Sequence, residues 1–309
     1  TKGVITVEFA SWDEATLSVF SRSDMQWHRE TISTRRNDMF RAEDLEFFQC
    51  VLEDRPVQCT IREALKSLSA IASVYRPYSS KERYQVKRSE IDQHIDRAVA
   101  FLNEHHFLLP PFAYWTTEDW KTKGPEYNEI RDNMLGWDLT DFGSGDFEKC
   151  GLLLFTLRNG NPHMEQYKKT YAEKVLVVQE DQITPYHFHW YKMEDIINRG
   201  GGNMLVQLYN SNPDESVDKE SDVLVAVDGC RQRHKAGSIL RIHNGESITL
   251  TQGLYHSFWA EKGHGPALLG EVSQTNDDNA DNRFAEPRGR FPAIDEDAPK
   301  RYLLCNDPR

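Results

Sequence analysis

Ile183-Thr184-Pro185-Tyr186-His187-Phe188-His189-Trp190-Tyr191-Lys192-Met193-Glu194 is the stretch on which the fold of this chain turns. Residues two apart on a strand project to the same face, so a strand here points His187 and His189 together into whatever that face encloses. Glu194 follows five residues after His189 and would fall on the opposite face of an unbroken strand. The chain must therefore bend, or begin a new strand, between Trp190 and Met193. A third imidazole comes from far along the chain, in Gly253-Leu254-Tyr255-His256-Ser257-Phe258-Trp259, as expected if a second strand crosses the first inside a barrel. Three neutral imidazoles and one carboxylate form a mixed nitrogen and oxygen donor set that suits Mn²⁺, Fe²⁺, Co²⁺, Ni²⁺ or Zn²⁺, and a six-coordinate ion would keep positions open for substrate oxygens. In a chain with 11 histidines an incidental His-x-His pair is commonplace; the glutamate, the distant histidine and the β-rich surroundings set this one apart.

The pattern around the motif is β throughout. Runs at Gly151 to Arg158, Glu173 to Glu180, Tyr186 to Lys192, Asn203 to Tyr209, Val223 to Asp228, Ser238 to Ile242, Ser247 to Thr251, His256 to Ala260 and Pro266 to Thr275 read as short strands. With Asn, Asp and Gly between them, they predict a sandwich or jelly-roll β-barrel. Gly200-Gly201-Gly202 lacks the Gly-Lys-Ser/Thr and the following helix of a phosphate loop, and reads as a tight turn. Upstream, Ser89 is the expected N-cap of a helix whose positions Ile91, Ile95, Ala98, Val99 and Leu102 form one apolar stripe, a packing surface ended by His105, His106 and Pro110-Pro111. Asp132 to Gly145 reads as turn-rich. Nearer the start, Val4 to Phe9 reads as a strand, Thr60 as the cap of a helix bearing Ile61, Leu65, Leu68, Ile71 and Ala72, and Arg76 to Lys81 as a linker.

His187-x-His189-x4-Glu194 followed by Gly200, with Gly-x2-His256 later, resembles the two metal-binding motifs of the cupin superfamily. Longer stretches narrow the likeness to the cupin-type D-lyxose isomerases: Leu108 to Trp115, Gly136 to Gly145, Gly151 to Gly160 and Glu194 to Asn203. The resemblance covers roughly residues 86 to 309. It implies a mainly β cupin barrel with an N-terminal helical extension, divided as follows: residues 1–85 an appended element, 86–147 a helical segment packing on the barrel, 148–275 the barrel, and 276–309 a segment near its mouth. It further implies one divalent ion, with Mn²⁺ expected, held by His187, His189, Glu194 and His256, a monosaccharide substrate, and a homodimer by analogy.

Interconverting an aldose and a ketose moves a proton between C1 and C2. A divalent ion on the carbonyl and neighbouring hydroxyl oxygens stabilises the cis-enediolate and makes the C–H acidic enough for a side-chain base. The resemblance names D-lyxose and D-xylulose, with D-mannose and D-fructose as the other pair. Glu271, on an apolar strand that turns polar, and Glu286, in the C-terminal tail, are the acid/base candidates; Lys174 is expected to hold a substrate hydroxyl or oxyanion. Trp190, Asp278 and Arg283 are candidate sugar contacts, with Asp277 beside them, and Tyr255 and Trp259 flank the donors. Two other readings fit the same four donors: a cupin oxidoreductase resembling the mononuclear iron dioxygenases, and a non-catalytic sugar-binding cupin.

Composition bounds these choices. The 309 residues are 39% hydrophobic and 28% charged, enough for a substantial core, and the net charge of -12 argues against a nucleic-acid partner. No apolar run approaches the ~18 residues of a membrane span, and no secretory signal pattern opens the chain. Cys50, Cys59, Cys150, Cys230 and Cys305 are scattered and never form Cys-x-x-Cys, which points away from disulfides and toward a cytoplasmic home.

Overall fold

The computed structural model describes residues 3–9, 14–21, 26–33, 50, 53, 85–277, 280–289 and 292–308. The chain divides into two units, Thr1–Lys81 and Glu82–Arg309. In the first, β1 (Gly3–Phe9), β2 (Glu14–Ser21) and β3 (Gln26–Ser33) form an antiparallel meander. The strand expected at Val4 to Phe9 is β1, whereas β2 and β3 go beyond the sequence reading. The helix expected from Thr60 and the linker at Arg76 to Lys81 lie outside the described residues.

The second unit opens with β4 (Val86–Lys87) and α1 (Arg88–Glu104), then two single-turn helices, α2 (Thr117–Trp120) and α3 (Asn128–Asp132). Strands follow: β5 (Gly136–Thr140), β6 (Leu152–Arg158), β7 (Tyr171–Val178), β8 (Thr184–Phe188), β9 (Glu194–Gly201), β10 (Met204–Ser211), β11 (Val217–Asp218) and β12 (Val223–Val227). The chain closes with β13 (Cys230–His234), β14 (Ile239–Ile242), β15 (Ser247–Leu250), β16 (Leu254–Ala260), β17 (Ala267–Gln274), β18 (Arg283–Phe284) and β19 (Ile294–Asp295). One sheet runs β13-β12-β15-β9-β17-β7-β6-β5; the other runs β11-β10-β16-β8-β18, with β14 also on β10. Inward residues of both sheets, such as Leu154, Leu176, Ile196 and Leu269 from the first and Met204, Val206, Leu208 and Phe258 from the second, pack into one core. This is the curled, two-sheet jelly-roll architecture that the many short strands predict.

Within the eight-stranded sheet, most of β6, the second half of β7 and the first half of β17 are buried on both faces, which explains why these stretches read as apolar runs. On β6, Leu152 and Leu154 point into the barrel, while Leu153 and Phe155 point outward against Ile91, Ile95, Ala98 and Leu102 of α1. The expected stripe is therefore the packing face of α1. Its start differs from expectation: the helix begins at Arg88, with Lys87 flanking it and Glu90 accepting the Lys87 N–H at 3.2 Å. Ser89 does not cap because its hydroxyl and N–H both donate to Asp297, at 2.7 and 3.0 Å. Arg88, fully buried, reaches Glu296 at 2.8 Å and Asp307 at 3.1 Å, and so ties α1 to the C-terminal segment.

Asp132 to Gly145 is not all turn. β5 lies within it, every residue buried, with Trp137 and Leu139 facing α1. Its glycine start and its polar residues Asp138 and Thr140 disguised the strand. Gly200 to Gly202 forms the corner where the chain leaves β9 in one sheet for β10 in the other. Gly201 has φ +74°, and a Cβ there would sit 2.3 Å from the Pro266 carbonyl oxygen, so only glycine fits.

Candidate metal and catalytic site

Antiparallel pairing of β8 with β16 sets His187 directly opposite His256, and their rings lie 4.2 Å apart. His189 follows β8 immediately, with its ring 5.1 Å from that of His187. The chain then turns, and β9 begins at Glu194, paired with Leu250 on one side and Ser273 on the other. The break anticipated between Trp190 and Met193 is therefore present and returns the carboxylate to the imidazoles. All four side chains are buried.

Each ring is oriented by a backbone carbonyl: His187 Nδ1 lies 2.8 Å from Pro185 O, His189 Nδ1 2.7 Å from Asp281 O, and His256 Nδ1 2.9 Å from Leu254 O. A carbonyl can only accept, so each neutral ring carries its proton on Nδ1 and presents a lone pair on Nε2. The ligand atoms of the three histidines lie within 4.8 Å of one another. Glu194 joins them, 3.3 Å from His256 Nε2 and 3.5 Å from His189 Nε2. The Nε2 atoms of His189 and His256 are buried without a hydrogen-bond partner. Lone pairs and a carboxylate converging in a buried site are unfavourable until a cation enters, and this donor set fits a divalent ion.

The electrostatics run the same way. Burial and the neighbouring His256 and His189 hold His187 well below the ordinary imidazole pKa. Burial and the Lys192 ammonium lower His189. Burial alone would raise Glu194, but Lys192 and the neighbouring imidazoles outweigh it and hold the carboxyl well below the usual range. At neutral pH His187, His189 and Glu194 are thus deprotonated, as metal donors must be.

From Glu194 a row of alternating charge extends across the inner wall. Lys192 Nζ lies 2.8 Å from Glu194 and 2.9 Å from Glu271, and Lys174 Nζ lies 3.2 Å from the same Glu271 oxygen. Ser273 Oγ adds a contact to that oxygen at 3.3 Å. β17 supplies Glu271 and pairs it in register with Lys174 of β7. Both lysines and both glutamates are buried, and they line one cavity with His187, His189, Asn282 and Phe284. Phe284 arrives on β18, whose pairing with β8 places it opposite His187.

Of the residues singled out from sequence, His187, His189, Glu194, His256, Glu271 and Lys174 come together here. Others do not. Glu286 is exposed, bonded to Arg288 at 3.1 Å, and belongs to a different depression with Lys149 and Tyr186. Trp190 and Arg283 both reach Glu215, at 2.9 and 3.0 Å, outside the cavity lining. Tyr255 is a buried residue whose hydroxyl donates to the Glu215 carbonyl at 2.7 Å. Asp277 pairs with His163 at 3.0 Å, and Asp278 lies outside the described residues. Lys192, Ser273 and Asn282 are missed by the sequence reading. Lys192 carries the one usable signal, its place two residues before Glu194.

A family profile described as D-lyxose isomerase matches residues 86–308. The chain belongs to the D-lyxose isomerase family. Over 225 residues it is 50% identical to the D-lyxose/D-mannose isomerase of Escherichia coli O157:H7, covering 72% of this chain and 99% of that protein. Over 223 residues it is 49% identical to the D-lyxose/D-mannose isomerase of Serratia proteamaculans, covering 72% of this chain and 97% of that one. Among solved structures, an L-ribose isomerase of Cellulomonas parahominis aligns with 69% of this chain and 99% of its own at 15% identity, with a TM-score of 0.46. The family match begins at β4, so the meander β1 to β3 lies outside it.

Proposed function

We propose that this chain is an aldose–ketose isomerase that interconverts D-lyxose and D-xylulose, and D-mannose and D-fructose, by proton transfer through a cis-enediolate. The observation that carries this reading is the buried row Glu194, Lys192, Glu271 and Lys174 beside three convergent imidazoles. His187, His189, Glu194 and His256 would hold the ion, for which we take Mn²⁺. When bound, it supplies positive charge for the oxyanion that develops on adjacent sugar oxygens.

The chain's own residues supply the rest. Glu271 is our choice for the group that moves the proton between C1 and C2, because its carboxylate is buried in the cavity and fixed by three donors on one oxygen. Glu286 is the weaker choice because it is exposed and tied to Arg288. Lys174 and Lys192 present ammonium donors to the hydroxyl and developing oxyanion, and burial of the whole wall excludes water that would compete for the proton. Trp190 and Arg283, joined through Glu215, would meet the sugar only at the cavity mouth.

The charged wall favours a polyhydroxylated substrate over the electron-rich aromatic of a dioxygenase, which would desolvate four charged groups without hydrogen-bonding them. Cys150 and Cys230 are free thiols, in keeping with our reading of a cytoplasmic location, and no helix among the described residues is long and apolar enough to cross a membrane. A homodimer is part of the same reading.

The decisive experiment follows ketose formation from D-lyxose and D-mannose in D₂O, by chelator-treated protein before and after Mn²⁺ is restored. Metal-dependent turnover with deuterium entering at C1 or C2 is expected. Bound metal with no turnover on either aldose would overturn the proposal.

A further inference from the structure

The segment between β8 and β9 carries His189 at one end and Lys192 near the other, yet neither of its central residues belongs to a strand. A single buried residue, Asp281, grips both ends. Its backbone carbonyl lies 2.7 Å from His189 Nδ1. Its two carboxylate oxygens accept the backbone N–H groups of Tyr191 at 2.8 Å and Lys192 at 2.9 Å. The Asp281 side chain is thus committed to backbone donors of the site segment.

We propose that Asp281 is a positioning residue of the site: its carbonyl fixes the tautomer and ring plane of His189, and its carboxylate fixes the backbone that aims Lys192 between Glu194 and Glu271. This rests on reading His189 as a metal donor. The coupling arises because the same residue provides both bonds, so a rotation of Asp281 moves donor and lysine together. Outer-shell carbonyls and carboxylates of this kind raise imidazole basicity and lock its orientation. Asp281 itself is followed directly by Asn282, on the cavity wall, and by β18, so it links the site segment to the strand that covers His187.

Asp281→Asn is the discriminating substitution. It conserves volume and one acceptor but turns an amide NH₂ toward one of the two backbone N–H donors. Met193 offers an internal control, since its N–H is accepted at 3.0 Å by the exposed Gln274, which has no bond to His189 or Lys192. Mn²⁺ affinity is measured on chelator-stripped wild type, D281N and Q274A, together with the visible spectrum of each protein loaded with Co²⁺. D281N is expected to bind Mn²⁺ about 10- to 100-fold more weakly and to displace the Co²⁺ bands, with Q274A at wild-type values on both. Wild-type affinity and spectrum in D281N would overturn the proposal.

Residue-resolved amide exchange on metal-free wild-type protein tests the same bonds without a variant, should D281N fail to fold. Protection of the Tyr191 and Lys192 amides comparable to β8 is expected, and exchange at open-loop rates would overturn the role. If wild-type protein binds neither ion, the metal reading fails, and the exchange data still decide whether Asp281 holds the segment.

Discussion

The two faces of the eight-stranded sheet are built to opposite specifications, although the same strands make both. Along β17, Leu268 faces outward into the α1 interface, while Leu269 and Glu271 face into the barrel. The outer face is apolar throughout its contact with α1. Across the inner wall, one end is apolar and the other carries Lys174, Glu194 and Glu271, which meet Lys192 and three imidazoles brought by the opposite sheet and the segment after β8. Burying charge brings little net stability, and breaking such a pair strands its partner in low dielectric. The comparison teaches that the outer face stabilises the sheet and thereby allows the inner face to be organised for chemistry.

Removing an inner imidazole should break the comparison most sharply. His187→Ala or His256→Ala is expected to abolish metal binding and turnover together while the far-ultraviolet dichroism stays that of a folded β protein, because the outer interface is untouched. Metal analysis with activity on one preparation checks this. Full activity in metal-free protein would remove the mechanism.

Glu271→Gln acts in the same cavity but not on the donors. It should leave metal stoichiometry at the wild-type value and lower kcat by about 10²- to 10⁴-fold, with a small change in KM. An equal loss of metal would instead mean that the charge row serves chiefly to hold Glu194.

On the outer face, Phe155→Ala removes a fully buried ring that meets Trp137 and Phe112 at centroid distances of 5.0 and 5.1 Å. A cost of about 3–5 kcal/mol in unfolding free energy is expected. Metal affinity and KM should hold at wild-type values below the unfolding transition. Denaturant titration beside Mn²⁺ binding checks both halves of this expectation.

Much of this division could be read from the chain. His187, His189 and His256 follow from the period of two and from one distant strand, and Glu194 from the need for a break after His189. Both signals are local patterns set by backbone geometry. Lys192 and Asp281 are harder to see because they act through a loop whose path depends on contacts 79 to 90 residues apart in sequence. Trp190 and Arg283 sit near the donors in sequence, but Glu215 draws both toward the outside, a partnership that no spacing reveals. β5 was hidden for another reason: its inward Asp138 shares a depression with Lys174 of the charged row, and its Thr140 accepts the Phe142 N–H, so apolar alternation is lost along it.

The smallest expected effect separates the faces by pH. His94 of α1 packs its ring on Phe147 at 4.6 Å, and burial, aided by the nearby Arg97, lowers its pKa from the ordinary 6.5 to about 4. Between those values the unfolded chain binds a proton that the folded chain does not, so this contribution to stability is fully present above about pH 6.5 and is lost as pH falls toward 4. His187 and His189 are shifted in the same direction, so the metal-free protein should lose stability on acidification from both faces. Mn²⁺ competes with protons only at the inner imidazoles and should add stability near neutrality that fades as they protonate. His94→Phe cannot take up the proton and keeps an aromatic ring against Phe147. It should therefore flatten the acid limb by the same amount with and without Mn²⁺, as read from urea midpoints between pH 4 and 7. A flattening that appears only in metal-free protein would mean that protonation under α1 is felt at the donors, and the sheet would then have to be treated as one coupled wall.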